Sequence, residues 1–177
     1  YSMHQSGFWN LERQSNLLDG AAHFYDTYEC ADGKYISIGS IEPQFYALLC
    51  QIAELPESEF GEQMKRDTWE HKKHLISKVF LTKSRDDWCE LMEGTDVCFA
   101  PVLDMSEAPS HPHNVARKTF IEIEGVTQPA PAPRFNRTEN EITLPPALAG
   151  EHSKEILETL GLGQDEVNRL ISSGSVA

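Results

Sequence analysis

The most constraining feature of this chain is a hairpin signature running straight into a helix start. Phe24-Tyr-Asp-Thr-Tyr-Glu-Cys30 is aromatic and β-branched with rough alternation, Asp32-Gly33 supplies a turn, and Tyr35-Ile-Ser-Ile-Gly39 alternates as the return strand. Pro43 follows where its missing N–H costs nothing, at the first position of a helix whose face is Phe45, Leu48, Leu49 and Ile52. Two further helices are expected after a polar loop at 54–66. One runs from Thr68 to Phe80, with Trp69, Leu75, Ile76, Val79 and Phe80 inward. The other is opened by the Ser84-x-x-Asp87 capping pattern, with Trp88, Leu91 and Met92 on its face. Val97–Leu103 reads as a short apolar strand, and Pro101 within it argues for an edge or an end.

The rest is looser. Residues 1–23 form an entry arm carrying Met3, Phe8, Trp9, Leu11, Leu17 and Leu18. After Leu103 the chain is loop-like, with one strand expected at 120–126 and an extended, stiff run at Gln128-Pro-Ala-Pro-Ala-Pro-Arg134. Ser153–Leu160 and Asp165–Ile171 are two short helices parted by Gly161-Leu-Gly163. Strands and helices do not alternate as βαβ units. The fold class is therefore α+β: a small, mostly antiparallel sheet with packed helices, flanked by extended arms and a C-terminal helix pair. The organisation expected is an entry connector at 1–23, a small α+β domain at 24–115, a Pro-rich return connector at 116–150 and a C-terminal helical segment at 151–177.

Composition narrows the function classes. With 177 residues and 40% hydrophobic residues a core can form, and a mean hydropathy of -0.44 leaves much of the chain wet. A net charge of -13 disfavours nucleic acid as a partner, because phosphate binding rests on a basic surface. No apolar run reaches the length of a membrane span. Cys30, Cys50, Cys89 and Cys98 form no C-x-x-C pair and lie in apolar or mixed stretches, which reads as buried free thiols in a reducing, intracellular compartment.

Among polar residues, Glu42 stands out. It lies between a strand end and Pro43, where the positive end of the helix dipole favours an anion. A fixed carboxylate there suits orienting an imidazole, and the plainer account is a helix cap with no other role. His71 with His74, and His111 with His113, are pairs without a third ligand at metal-binding spacing, and Lys72 and Lys73 beside the first pair repel a cation, so no metal is expected. His23, a single histidine beside the hairpin, reads as structural or exposed. G-x-G-x-x-G, P-loop and G-x-S-x-G motifs do not occur.

Taken in order, Asn16-Leu-Leu-Asp-Gly20, Phe24–Tyr35 and Gly39-Ser-Ile-Glu-Pro-Gln-Phe-Tyr46 closely resemble the 2-methylacyl-CoA racemases of the family III CoA-transferase superfamily. Gly94–Leu103, Pro131-Ala-Pro-Arg-Phe135 and Gly150–Leu157 resemble further blocks of that family. The resemblance implies a larger protein. Family members carry an N-terminal domain with a Rossmann-like sheet and interlock as dimers, with the active site between the large domain of one chain and the small domain of the other. The first residue is Tyr1, and the chain is expected to be the C-terminal portion.

The family's reaction moves the proton at C2 of a 2-methylacyl thioester between a histidine and an aspartate, and both belong to the N-terminal part. Glu42 falls on the family's carboxylate that supports that histidine. Asp19, Gly20, Tyr25 and Asp26 are implied to border the acyl site. Ala21-Ala22-His23 departs from the usual Gly-Ala-Pro. The resemblance implies no cofactor beyond the coenzyme A thioester as substrate, no activity in this chain alone, and a homo-oligomer or partner chain. It leaves cytoplasmic, mitochondrial or peroxisomal settings open. The competing readings are a free-standing binding or oligomerisation module and a CoA-transferase fragment. A glycine-rich loop of the transferase kind is not visible near 36–46.

Overall fold

The structure is a computed structural model that describes residues 1–142 and 144–176. The chain divides into two compact units, 1–104 and 105–177.

The first unit opens with a single helical turn, α1 (Ser2–Gln5), followed by an irregular arm. The hairpin forms as expected: β1 (Tyr25–Glu29) pairs antiparallel with β2 (Tyr35–Gly39), Tyr25 opposite Gly39 and Glu29 opposite Tyr35. Gly33 supplies the turn with φ +74° and donates its N–H to Cys30 O at 3.0 Å. Next come α2 (Pro43–Ile52), α3 (Glu57–Phe60), a 3₁₀ turn at Arg66–Thr68, α4 (Trp69–Phe80), α5 (Arg85–Met92) and β3 (Phe99–Val102). β3 pairs antiparallel with β2, which gives the order β1-β2-β3 and leaves Pro101 on an edge strand opposite Ile36.

The core lies where the helices meet one face of this sheet. Phe24, Tyr28, Ile36, Ile38, Leu49, Ile76, Phe80, Trp88 and Met92 are buried together. Aromatic rings meet edge to face, Phe24 on Trp69 at 5.8 Å and Phe80 on Trp88 at 5.1 Å. The buried indole N–H groups are paired: Trp88 donates to Phe80 O at 2.9 Å and Trp69 to Gln63 O at 2.8 Å. At the start of α5 the capping box closes in both directions, Ser84 Oγ accepting from Asp87 N and the Asp87 carboxylate accepting from Ser84 N, each at 3.1 Å.

Several local expectations are corrected. The loop at 54–66 contains α3, a turn that exists because Phe60 inserts into the core beside His23 at 5.8 Å. On α2 the buried residues are Tyr46 and Leu49, while Phe45, Leu48 and Ile52 are half-buried. Leu91 is exposed, because α5 ends one residue later and its buried side is formed by Arg85, Trp88 and Met92. All four cysteines are free, but only Cys30 is buried. Cys50 and Cys89 are half-buried and Cys98 is exposed.

The second unit holds a 3₁₀ turn at Ala108–Ser110, then α6 (Pro112–Ala116) and the hairpin β4 (Phe120–Ile123) with β5 (Val126–Pro129). β4 and β5 form a separate two-stranded antiparallel sheet turned by Glu124 and Gly125, both at positive φ. The stretch read as loop with one strand thus has a helix and a second strand, and the Pro-rich run begins inside β5. The Ala132–Pro133 peptide is cis. The C-terminal helix pair is present as α7 (Ser153–Thr159) and α8 (Gln164–Ser172), which contact each other. The overall class is α+β.

Candidate functional site

The four residues Asp19, Gly20, Tyr25 and Asp26 are brought together. They line one cleft of about 420 Å³ in the first unit, with Leu18, residues of the sheet such as Ser37 and Gly39, and Cys98 just ahead of β3. The loop ahead of β1 forms one wall and the strands form the floor.

Neither carboxylate in the lining is free. Asp19 folds back on its own loop: its carboxylate accepts from Asn16 N at 2.8 Å and from Asn16 Nδ2 at 2.7 Å. Desolvation opposes its ionisation, but the hydrogen bonds from Asn16, Ser15 and Ala21 win and hold its carboxyl below the usual range. Asn16 itself is buried and ties the loop to Asn10 through both backbone groups of that residue. Asp26, on β1, forms an ion pair with Lys73 of α4. The same ammonium donates to Gly20 O at 2.5 Å. Gly20 sits at φ +93°, and a Cβ there would meet Asp26 Oδ1 at 3.4 Å, so the loop rests directly on the carboxylate. Lys73 is a residue that the sequence reading assigned only to repelling a cation from the neighbouring histidines. Its target lies 53 residues away in the chain, and no local pattern signals it.

Glu42 is the N-terminal flanking residue of α2, with extended backbone (φ -68°, ψ 140°) and an exposed side chain. Its carboxylate makes no capping hydrogen bond to the helix. Glu42 is nonetheless the helix cap through its backbone, its carbonyl accepting from Phe45 N and Tyr46 N, each at 3.0 Å, while its side chain takes no part in the cap. The backbone leading to Glu42 is held on several sides. Ser40 N donates to Phe24 O at 3.0 Å, Ser40 Oγ to Val97 O at 2.6 Å, and the Gln63 amide to Ser40 O at 3.0 Å and Ile41 O at 2.9 Å. Glu42 follows Gly39 of the lining by one short turn of chain. Its charge also acts on a second lining residue: desolvation first, then the carboxylates of Glu42 and Asp96, push the Cys98 thiol up. Cys98 is accordingly a poor nucleophile despite its exposure. Ser40 lies inside the Gly39–Tyr46 block but carries no role of its own in the sequence reading, and Gln63, in a polar loop, stands in no recognisable motif.

His23 is fully buried, edge to face with Phe24 and Tyr46. The Tyr46 hydroxyl donates to Phe60 O at 2.9 Å, which leaves its oxygen to accept the His23 Nε2–H at 2.8 Å. His23 Nδ1 has no partner. Burial, and secondarily the nearby Lys72 ammonium, lower its pKa to about 3, so the ring is neutral at physiological pH. His71 meets Glu59 at 3.5 Å on the surface. Among the described residues no cluster of three or more His, Cys, Asp or Glu has a geometry that could hold a metal ion. No described helix is long and apolar enough to cross a membrane.

The cleft can accept an apolar or mixed group against Tyr25 and the sheet, and Glu42 follows three residues along the chain from Gly39 of its lining. The two carboxylates in the lining, Asp19 and Asp26, are already committed to the fold.

Comparison with known proteins gives this geometry a setting. The chain is 41% identical to the mouse Alpha-methylacyl-CoA racemase over 171 residues and 40% identical to the human one over 173. Those matches cover 94% and 93% of this chain, and 44% of each relative, so the chain spans less than half the length of these curated relatives. It is 28% identical over 163 residues to the human Succinyl-CoA:glutarate CoA-transferase. The crystal structure of Rv3272 from Mycobacterium tuberculosis shares the fold at a TM-score of 0.61 and 20% identity, covering 75% of this chain and 38% of that one. The sequence model of CoA-transferase family III matches residues 2–153, the span that contains the hairpin, the cleft and Glu42, and the chain belongs to that family.

Proposed function

We propose that this chain is the C-terminal portion of a 2-methylacyl-CoA racemase and takes part in 1,1-proton transfer at C2 of a 2-methylacyl-CoA thioester. The reading rests on one observation above the others: a cleft lined by Asp19, Gly20, Tyr25 and Asp26, with a backbone-anchored Glu42 three residues along the chain from Gly39 of its lining, in a chain 40–41% identical to two racemases. In this reading Glu42 orients and charge-stabilises a histidine supplied from outside the chain. Tyr25 and the Asp19–Gly20 loop wall in the acyl group. Moving a proton across C2 needs an acid and a base on opposite faces of one carbon. Asp19 and Asp26 are bound to Asn16 and Lys73, so the chain acts with a second polypeptide segment or a second copy, and alone is inactive. The substrate is the coenzyme A thioester itself, and no further cofactor is invoked.

The test is deuterium incorporation at C2 of a 2-methylacyl-CoA in D₂O, followed by NMR or mass. The expected result is no exchange above background with this chain alone. Exchange is expected once the N-terminal domain of a related racemase is added, falling about a hundredfold with Glu42→Gln. Exchange by the isolated chain that depends on Glu42 overturns the claim of inactivity. The likeness to the succinyl-CoA:glutarate CoA-transferase favours a second reading, a transferase fragment. Movement of coenzyme A between two carboxylic acids in the same mixture, without exchange at C2, would select it.

A further inference from the structure

Two electron-rich groups converge on the wall of the cleft. Gly20 O and the Asp26 carboxylate are both acceptors, and the missing Cβ of Gly20 would lie only 3.4 Å from Asp26 Oδ1. Both acceptors lie within reach of one ammonium, and acceptors drawn together in this way repel unless a donor stands between them. Lys73 is that donor. Its side chain rises from α4, one turn after Trp69 and just before Ile76, two core residues that fix the helix against the sheet. The ammonium pairs with Asp26 Oδ2 and donates to Gly20 O at 2.5 Å, with the Lys73 and Asp26 side chains 29% and 19% exposed. One cation therefore joins α4, β1 and the loop at 19–20. Lys73 does not itself line the cleft, and it acts on it through Gly20 and Asp26, which do.

We propose that Lys73 is the positioning residue of this cleft, setting the stand-off between the Asp19–Gly20 wall and β1 by bridging Gly20 O and the Asp26 carboxylate. The consequence for catalysis rests on the racemase reading above; the consequence for the wall does not.

The experiment is amide hydrogen exchange by NMR on the whole chain, comparing wild type, Lys73→Met and Lys73→Arg. Methionine keeps the stem and removes the charge, and arginine restores a donor cation. In the methionine variant the amides of Asn16 and Tyr25, which close the loop on Asp19 and Ala22, are expected to exchange at least tenfold faster. Amides of α4 and β2 should stay within twofold, and arginine should return the loop to within threefold of wild type. Unchanged loop amides, equal acceleration everywhere, or an arginine variant as loose as methionine overturns the proposal. If the methionine variant fails to fold, Asp26→Asn removes the ion pair while keeping Lys73, and loosening of the same two amides is again required.

With the N-terminal domain of a related racemase added, Lys73→Met is expected to raise KM for the thioester at least tenfold and to change kcat less than threefold. A wild-type mixture without C2 exchange would remove the racemase reading, and the amide exchange would still decide the role of Lys73.

Discussion

At the scale of single residues, the burial of His23 has the largest consequence, and of its two readings the structural one holds. Its ring sits among Phe24, Tyr46 and Phe60 with one nitrogen bonded and the other orphaned. The unfolded chain binds a proton here at about 6.5 and the folded chain at about 3. Between those values the unfolded state holds more protons, so stability rises with pH through this window and is flat above it. Lowering the pH from 6.5 to 3 is expected to cost on the order of 3–5 kcal/mol through this residue. His23→Phe, which fills the same aromatic niche and leaves the Tyr46 hydroxyl bonded to Phe60 O, should flatten the pH dependence of urea unfolding over that range. An unchanged slope would mean that other groups carry the acid sensitivity. None of this was legible beforehand, because the partner Tyr46 lies 23 residues on and the burial comes from Phe60 in a segment that reads as loop. Glu42, by contrast, was legible from its neighbours: a strand end before it and Pro43 after it fix its place.

At the scale of elements, what could be read was what is local. The hairpin, the start of α2 and the capping box of α5 each depend on residues within a few positions of one another, and each forms. The box makes a simple forecast. Ser84→Ala removes the acceptor for the Asp87 N–H and the donor to its carboxylate, and should lower stability by about 1 kcal/mol in chemical denaturation. A change under a few tenths would mean that tertiary packing of Trp88 alone holds the helix start. Elements that depend on distant partners were missed. α3 is short and polar, and only the insertion of Phe60 into the core makes it helical. β5 begins a proline-rich run, and pairing with β4 rather than its own composition makes it a strand. The cleft belongs to the same class: its lining residues come from four separate stretches, and the bridge from Lys73 crosses 53 residues.

At the scale of the whole molecule, exposed apolar side chains and high charge oppose each other. Phe8, Leu11, Ile156 and Leu160 are 47%, 82%, 55% and 71% exposed. Surfaces of this kind seek a partner, while a net charge of -13 keeps copies apart. Self-association is therefore expected to strengthen with both concentration and ionic strength, since salt screens the repulsion and leaves apolar burial intact. Sedimentation velocity at low and high salt checks this. A 19.9 kDa species throughout would remove the oligomer from the proposal.

The edge position of Pro101 sets a rule for how such assembly can proceed. β3 is bonded to β2 on one side, so its other side is the place where another chain's strand would zip on and begin a fibril. A strand docking there finds no N–H at Pro101, in the middle of a four-residue template. That border of the sheet resists growth by strand addition, and an added strand would find a complete ladder only at the opposite edge, β1.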